Sequence, residues 1–198
     1  MDSLSRKDII LKAAAQAEFV RRKCGITLTA AVDPIMLSEQ RGCEVRFMSL
    51  PSLEGVYSPS PRPVIVLGSE RPAGRRAYTC MHELGHHEFK HGMRMEELKT
   101  GRLYSTEDPE EFIADMFAAT LLMSQASVHH SLRIRGFDKT ILEPIQVFRL
   151  ASFLGVGFNT LIEHMTFTLG LLSRQQRENL RKTTPKQLKS NFGCSPQS

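Results

Sequence analysis

The chain has 198 residues, with 41% hydrophobic and 24% charged residues, which excludes a wholly disordered chain, a collagen and a coiled coil and suits one domain with at most a small appendage. The formal net charge is +5 and the pI near 9.2, which raises the question of an acidic partner. The excess is local: residues 131–198 hold 10 Lys/Arg against 4 Asp/Glu, whereas residues 71–130 hold 7 against 9.

Residues 5–24 read as a helix stopped at Gly25. A second helix starts at Asp33-Pro34, a capping residue followed by proline in the first turn, and stops at Gly42. Strand-like segments follow at 44–50, 55–58 and 63–68, with PSPRP (59–63) as a turn or an edge strand between the last two. The run Val64–Leu67 is the most β-like in the chain and is expected to offer an edge to an extended substrate. From about Arg75 to His91 the pattern is helical, with Gly92 as terminator, and residues 93–107 read as a polar loop. Asp108, Pro109, Glu110 and Glu111 write the strongest helix start, for a helix over 108–123. Further helices are expected at 124–135, 140–154, 158–169 and 173–182, and the proline-bearing tail at 183–198 is expected to fray. The order describes an α+β protein, mainly helical, with a small mixed sheet beside one long helix. It divides into a domain over 1–130, a helical segment over 131–182 packed on it, and a basic tail over 183–198.

Cys24, Cys43, Cys80 and Cys194 form no CxxC pair, which excludes a zinc ribbon and a dithiol redox motif. No apolar stretch approaches a membrane span, and Asp2 and Asp8 do not fit a secretory leader. A reduced, cytoplasmic monomer with no membrane contact is expected.

The chemistry gathers around histidine. Four of seven histidines fall within ten residues, and His82-Glu83-Leu84-Gly85-His86 is an HExxH motif inside a predicted helix. Residues four apart lie about 40° apart around a helix axis, so His82 and His86 project from one face. Two imidazoles placed so can both reach one tetrahedral zinc ion, and Glu83 can serve as base toward a zinc-bound water without being a ligand. Composition alone gives about 0.02 chance matches to such a motif in a chain of this kind.

A catalytic zinc needs a third protein ligand. Phe89 and Gly92 stand where a metzincin has Gly and His, so that class fails. His91 lies about 140° around the helix from His86 and reaches the metal only if the helix breaks first; packing or capping near Gly92 is its expected role. His87 is expected on the surface or behind a ligand. Glu111, 25 residues past His86, opens a second long helix, the layout of gluzincins, yet a capping box explains the same residue and Glu110 is adjacent.

The stretches RRAYTCMHELGHHEFKHG (75–92) and EEFIADMFAATLLMS (110–124) resemble the ImmA/IrrE family of zinc metallo-endopeptidases. The second matches that family's helix at Glu111, Ala114, Asp115, Phe117, Ala118, Ala119, Leu121, Leu122 and Met123, and departs at Ser124, where the family has proline. The resemblance covers about 30–125 well and 145–173 partly. It implies a zincin-like fold, Glu111 as third ligand to Zn2+ (or another divalent metal such as Mn2+), and peptide hydrolysis with Glu83 activating the metal-bound water. Asp115, one turn after Glu111, is expected either to hydrogen-bond a ligand histidine or to be a surface acid. Tyr57, Tyr78, Tyr104 and Arg75 are the candidates for stabilising the oxyanion. The implied substrate is a partner transcriptional repressor of the helix-turn-helix type, cut in stress responses or mobile elements.

Residues 149–165 also read as a helix-turn-helix, but the second helix offers only Asn159, Thr160, Glu163 and His164, without Lys or Arg. A helical hairpin packing on the catalytic half is the plainer reading, leaving weak nucleic-acid attraction to the basic tail. Two rivals stand beside the endopeptidase: a non-catalytic zincin-like regulator that binds a repressor or DNA, and a deformylase-like hydrolase using Cys43 of Gly42-Cys43 as third ligand.

Overall fold

The computed structural model describes residues 5–97 and 108–191. Helix α1 (Arg6–Lys23) starts on a capping box between Ser5 and Asp8 and turns Ala13, Ala17 and Val20, spaced at helical intervals, into the interior. Arg21 on the same helix is buried and carries its guanidinium to the carbonyls of Leu121, Thr27 and Ala30. Those bonds satisfy an orphan carbonyl at the end of a second helix and pin the 27–30 turn. Helix α2 (Pro34–Gln40) is capped by Asp33, with proline at its first position as expected.

Three strands follow, β1 (Glu44–Met48), β2 (Leu53–Ser58) and β3 (Val64–Gly68), then α3 (Ala73–Glu88), β4 (Arg94–Glu97) and α4 (Pro109–Leu122). The sheet order is β1-β3-β2-β4, with β1 and β3 parallel and the other pairs antiparallel. The fold is therefore α+β with a small mixed sheet. The expected edge at Val64–Leu67 is corrected: β3 lies between β1 and β2, and β4 is the edge next to β2. The expected loop over 93–107 is corrected in its first part, because Arg94–Glu97 is a strand. Its pattern is inverted, with Glu96 buried and Met95 exposed, so alternation of apolar residues gives no strand signal there.

Helix α3 lies between the sheet and α4, and α4 packs in turn on α1. Every residue from Tyr78 to His86 is buried. Gly85 faces α4 so closely that a Cβ there would stand 3.0 Å from the Ala114 Cα. The apolar residues of α4, Phe112 to Leu122, are buried almost all round, as the position between two helices requires.

Helices α5 (Gln125–Ile134), α6 (Pro144–Leu154), α7 (Phe158–Phe167), α8 (Arg174–Arg181) and α9 (Pro185–Asn191) complete the described chain. Their apolar residues, out to Leu188, join one continuous core with those of α1 and α3. The expected fraying is corrected as far as residue 191, residues 192–198 lying outside the described residues: Thr184 and Gln187 exchange capping bonds around Pro185, and Leu188 is buried. The proline that suggested a loose end is a helix's first residue. Axes of α6 and α7 meet at 100°. The turn between them lies against Gly74 at the start of α3, where a Cβ would come within 2.6 Å of the Val156 carbonyl carbon. Glu163 on α7 is held by Arg177 and Arg181 of α8, so two of the ten basic side chains of residues 131–198 are engaged in tying helices together. Among the described residues no single helix is long and apolar enough to cross a membrane.

His164, on α7, is buried and donates from Nε2 to the Met123 carbonyl at 2.9 Å. Burial pushes its pKa down to about 4. An unfolded chain takes up that proton near pH 6.5, so the unfolded state binds more protons between the two values and stability falls as pH drops from about 6.5 to about 4. The loss attributable to this one group is roughly 3 kcal/mol. His164→Gln, which keeps a donor and cannot titrate, is expected to flatten that part of the stability curve by about 1–3 kcal/mol in urea denaturation over a pH series. A variant curve parallel to the parent's in this window would show that His164 does not set it.

Candidate metal centre

Helix α3 brings His82 and His86, one turn apart, to the face it shares with α4, and both are fully buried. Helix α4 supplies Glu111 from its first turn. Asp108 caps that turn by accepting from the Glu110 and Glu111 amides, so Glu111 is not needed to close a box and its carboxylate turns inward. His82 Nε2 lies 3.0 Å from His86 Nε2. One Glu111 oxygen is 3.2 Å from His82 Nε2 and the other 3.4 Å from His86 Nε2. Donors held about 2.0–2.1 Å from a tetrahedral zinc ion stand about 3.3–3.4 Å from each other, so the three groups surround a space of the right size. Glu110, the neighbouring alternative, pairs instead with Arg94.

The partner behind His82 supports the same fit. His82 Nδ1 lies 2.9 Å from Asp115 Oδ1, in a fully buried pair. In its neutral form an imidazole that donates there keeps its lone pair on Nε2, aimed at the space between the ligands. Burial alone would lower the His82 pKa, but Glu96, Asp115 and Glu111 together raise it well above the usual imidazole range. His86 is pushed the other way, to about 3, by burial and then by His82. The site thus favours positive charge at its centre while keeping His86 neutral and able to ligate, which suits a divalent cation.

Sequence reasoning missed Glu96. It is buried on β4, and its carboxylate, His82 and Asp115 lie with polar atoms within 4.8 Å of one another. Among the described residues, this group and His82–His86–Glu111 are the clusters able to hold a metal. No sequence signal points to Glu96, because Arg94–Glu97 turns its methionine outward and a glutamate inward. Glu83 is fully buried where α3 meets β2. A Cβ on Gly55 would fall 2.9 Å from a Glu83 carboxylate oxygen and 2.5 Å from Thr79 Cγ2, so glycine on β2 makes room for this carboxylate.

The remaining candidates are engaged elsewhere. The Tyr57 hydroxyl is 3.1 Å from His87 Nδ1, the Tyr78 hydroxyl donates to the Asp115 carbonyl, and Arg75 pairs with Glu54 at 2.9 Å. None of the three is bonded to His82, His86 or Glu111 among these contacts; Tyr104 lies outside the described residues. His91 lies behind His86, Nδ1 to Nδ1 at 2.8 Å, on the side away from the ligand nitrogens. Cys43 is buried and belongs to neither metal-capable group among the described residues, and burial pushes its thiol up to about 12.

No curated protein matches the sequence. A solved structure of a Mycobacterium tuberculosis transcriptional regulator has a similar fold, with a TM-score of 0.53 at 19% identity over 84% of this chain. The chain spans 49% of that protein's length. The family model described as Peptidase_M78, IrrE N-terminal-like domain, matches residues 38–166, a span that contains both α3 and α4. With well over half its length inside that match, the protein belongs to the IrrE N-terminal-like family of metallopeptidase type.

Proposed function

We propose that the protein is a zinc-dependent endopeptidase in which His82, His86 and Glu111 hold the ion and Glu83 is the general base. The observation that carries this reading is the convergence of two imidazole Nε2 atoms and one carboxylate within 3.0–3.4 Å, with a buried Glu one residue on from the first histidine. A bound zinc ion would lower the pKa of a coordinated water and polarise the scissile carbonyl. Glu83 takes the proton of the attacking water on its carboxylate and returns it to the leaving amine. Its burial against Gly55 keeps bulk water from that carboxylate and holds it in one orientation. Asp115 holds His82 in the tautomer that ligates.

The substrate we infer from the family is a helix-turn-helix repressor, entering as an extended segment. Among the described residues β4 is an edge strand, with Met95 exposed on it and Met93 exposed just before it, and is better placed than β3 to pair with such a segment. A second reading, a regulator with a zincin-like fold and no turnover, is favoured by one observation, the structural neighbour named a transcriptional regulator.

Glu83→Gln is expected to bind zinc with unit stoichiometry and to lose cleavage of the repressor by at least about 100-fold, while Glu111→Ala loses the metal. Cleavage by Glu83→Gln at the parent rate, read by gel and mass spectrometry, would overturn the mechanism. A parent protein that binds zinc and repressor but never cuts would establish the regulator reading. Gly55→Ala is expected to cost about 1–3 kcal/mol of stability and to reduce turnover more than zinc affinity, because the new methyl displaces Thr79 and Glu83 and no ligand. Equal losses in zinc affinity and turnover would contradict that placement.

A further inference from the structure

Helix α3 does not run on to Gly92. It ends at Glu88, and Lys90 takes a left-handed conformation with φ 59. The Lys90 amide bonds the His87 carbonyl at 3.1 Å and the His91 amide bonds the His86 carbonyl at 2.9 Å, the two hydrogen bonds of a Schellman motif. A left-handed turn at a residue other than glycine costs about 1–2 kcal/mol, although Gly92 stands two residues further on. The early stop has one chemical result. It folds the chain back over the last turn of α3 and sets the His91 ring beside His86, with centroids 5.1 Å apart and Nδ1 2.8 Å from Nδ1. Phe89 also stacks on His91, with ring centroids 6.0 Å apart and the planes 26° from parallel.

We propose that His91 is a positioning residue for His86, accepting on its Nδ1 a hydrogen bond from His86 Nδ1–H. The inference rests on the metal-centre reading above. The bond can run in only one direction if His86 ligates through Nε2. That nitrogen must keep its lone pair, so the His86 proton sits on Nδ1, and His91 must be the neutral Nε2–H tautomer with Nδ1 as acceptor. Each ligand imidazole then has its far nitrogen held, His82 by a carboxylate and His86 by a neutral ring. A second carboxylate behind His86 would add to the negative charge already gathered by Glu96, Glu111 and Asp115. A neutral acceptor fixes the ring without adding charge.

The test uses the full chain, stripped of metal and titrated with Zn2+ against a chromophoric chelator. The variants are His91→Phe, which keeps a ring against Phe89 but cannot accept, and His91→Gln, which can. Loss of a group that orients a ligand histidine typically lowers metal affinity 10–100-fold, and that is the expectation for His91→Phe, with His91→Gln recovering most of it. The Co2+-loaded His91→Phe protein should also show a shifted visible spectrum. Zinc binding by His91→Phe as tight as the parent's, or equal weakening in both variants, would overturn the proposal, the latter by showing a packing role. The parent chain itself supplies a readout free of folding effects: nitrogen-15 NMR of its zinc-loaded imidazoles should show His86 protonated on Nδ1 and His91 on Nε2. A proton on His91 Nδ1 would reject the bond. Failure of the parent to bind zinc at all would instead reject the metal centre.

Discussion

The closeness of α3 and α4 is the constraint on which the site depends. Two histidines come from one helix and the carboxylate from the other, and a tetrahedral site leaves only a few tenths of an ångström of tolerance in the distances between donors. Gly85, inside the HExxH motif, removes the side chain that would separate the helices; Ala114 opposite it is the smallest residue with a Cβ. Placing Ala114 one position before Asp115 and three after Glu111 puts both acids on the turns that flank the point of contact. Small residues at the contact and ionisable residues around it are therefore one arrangement. Wider packing would leave the imidazoles facing a carboxylate that could not reach them.

Such a site is costly to fold. His82, Glu83, Glu96 and Asp115 are all buried, and removing ionisable groups from water is unfavourable unless partners compensate. Compensation here is mutual: Asp115 and Glu96 raise the affinity of His82 for positive charge, and a divalent cation would answer the remaining acids. Metal binding and folding are then linked, since the donors converge only in the folded chain. The same reasoning explains why the apolar layers on both sides are continuous. The aliphatic core shared by α1, α4 and α6 must outweigh the polar centre it encloses.

Much of this was legible in the residues. HExxH fixed the spacing of two candidate donors, Asp108-Pro109 announced the helix that carries Glu111, and composition placed the basic excess at the C-terminal end. Glu111 needed the family pattern, because its position also satisfies a capping rule; the geometry shows Asp108 doing the capping with its own side chain. The illegible parts share one physical cause, which is that burial reversed the local signal. Glu96 points inward from a strand whose methionine points out, so β4 reads as loop. Val64–Leu67 is the most strand-like run because it is covered on both edges, which is also why it cannot serve as a free edge. His91 looked wrongly placed on a helical wheel because the wheel assumes a helix that Lys90 ends.

Helix α3 is held by its surroundings more than by its own ends. Its first turn has no side-chain cap. In its place the α6–α7 turn presses against Gly74, and Arg71 and Arg75 tie the same end to Glu54 of β2. At the other end, Glu88 receives Arg41 and Gln16, from α2's C-cap and α1. Midway, the Tyr78 hydroxyl reaches the Asp115 carbonyl on α4. Five neighbouring elements thus set the position of one helix, and isolated helical propensity sets little of it. That gives the α6–α7 turn a packing role against α3. The polar residues of α7 nearest the turn, Asn159 and Thr160, border a cavity of about 700 Å³ that Thr79 and Glu96 line from the other side. The α6–α7 turn is thus part of the wall of that cavity, and a change in its packing would reach α3, the helix that carries His82 and His86, through Gly74.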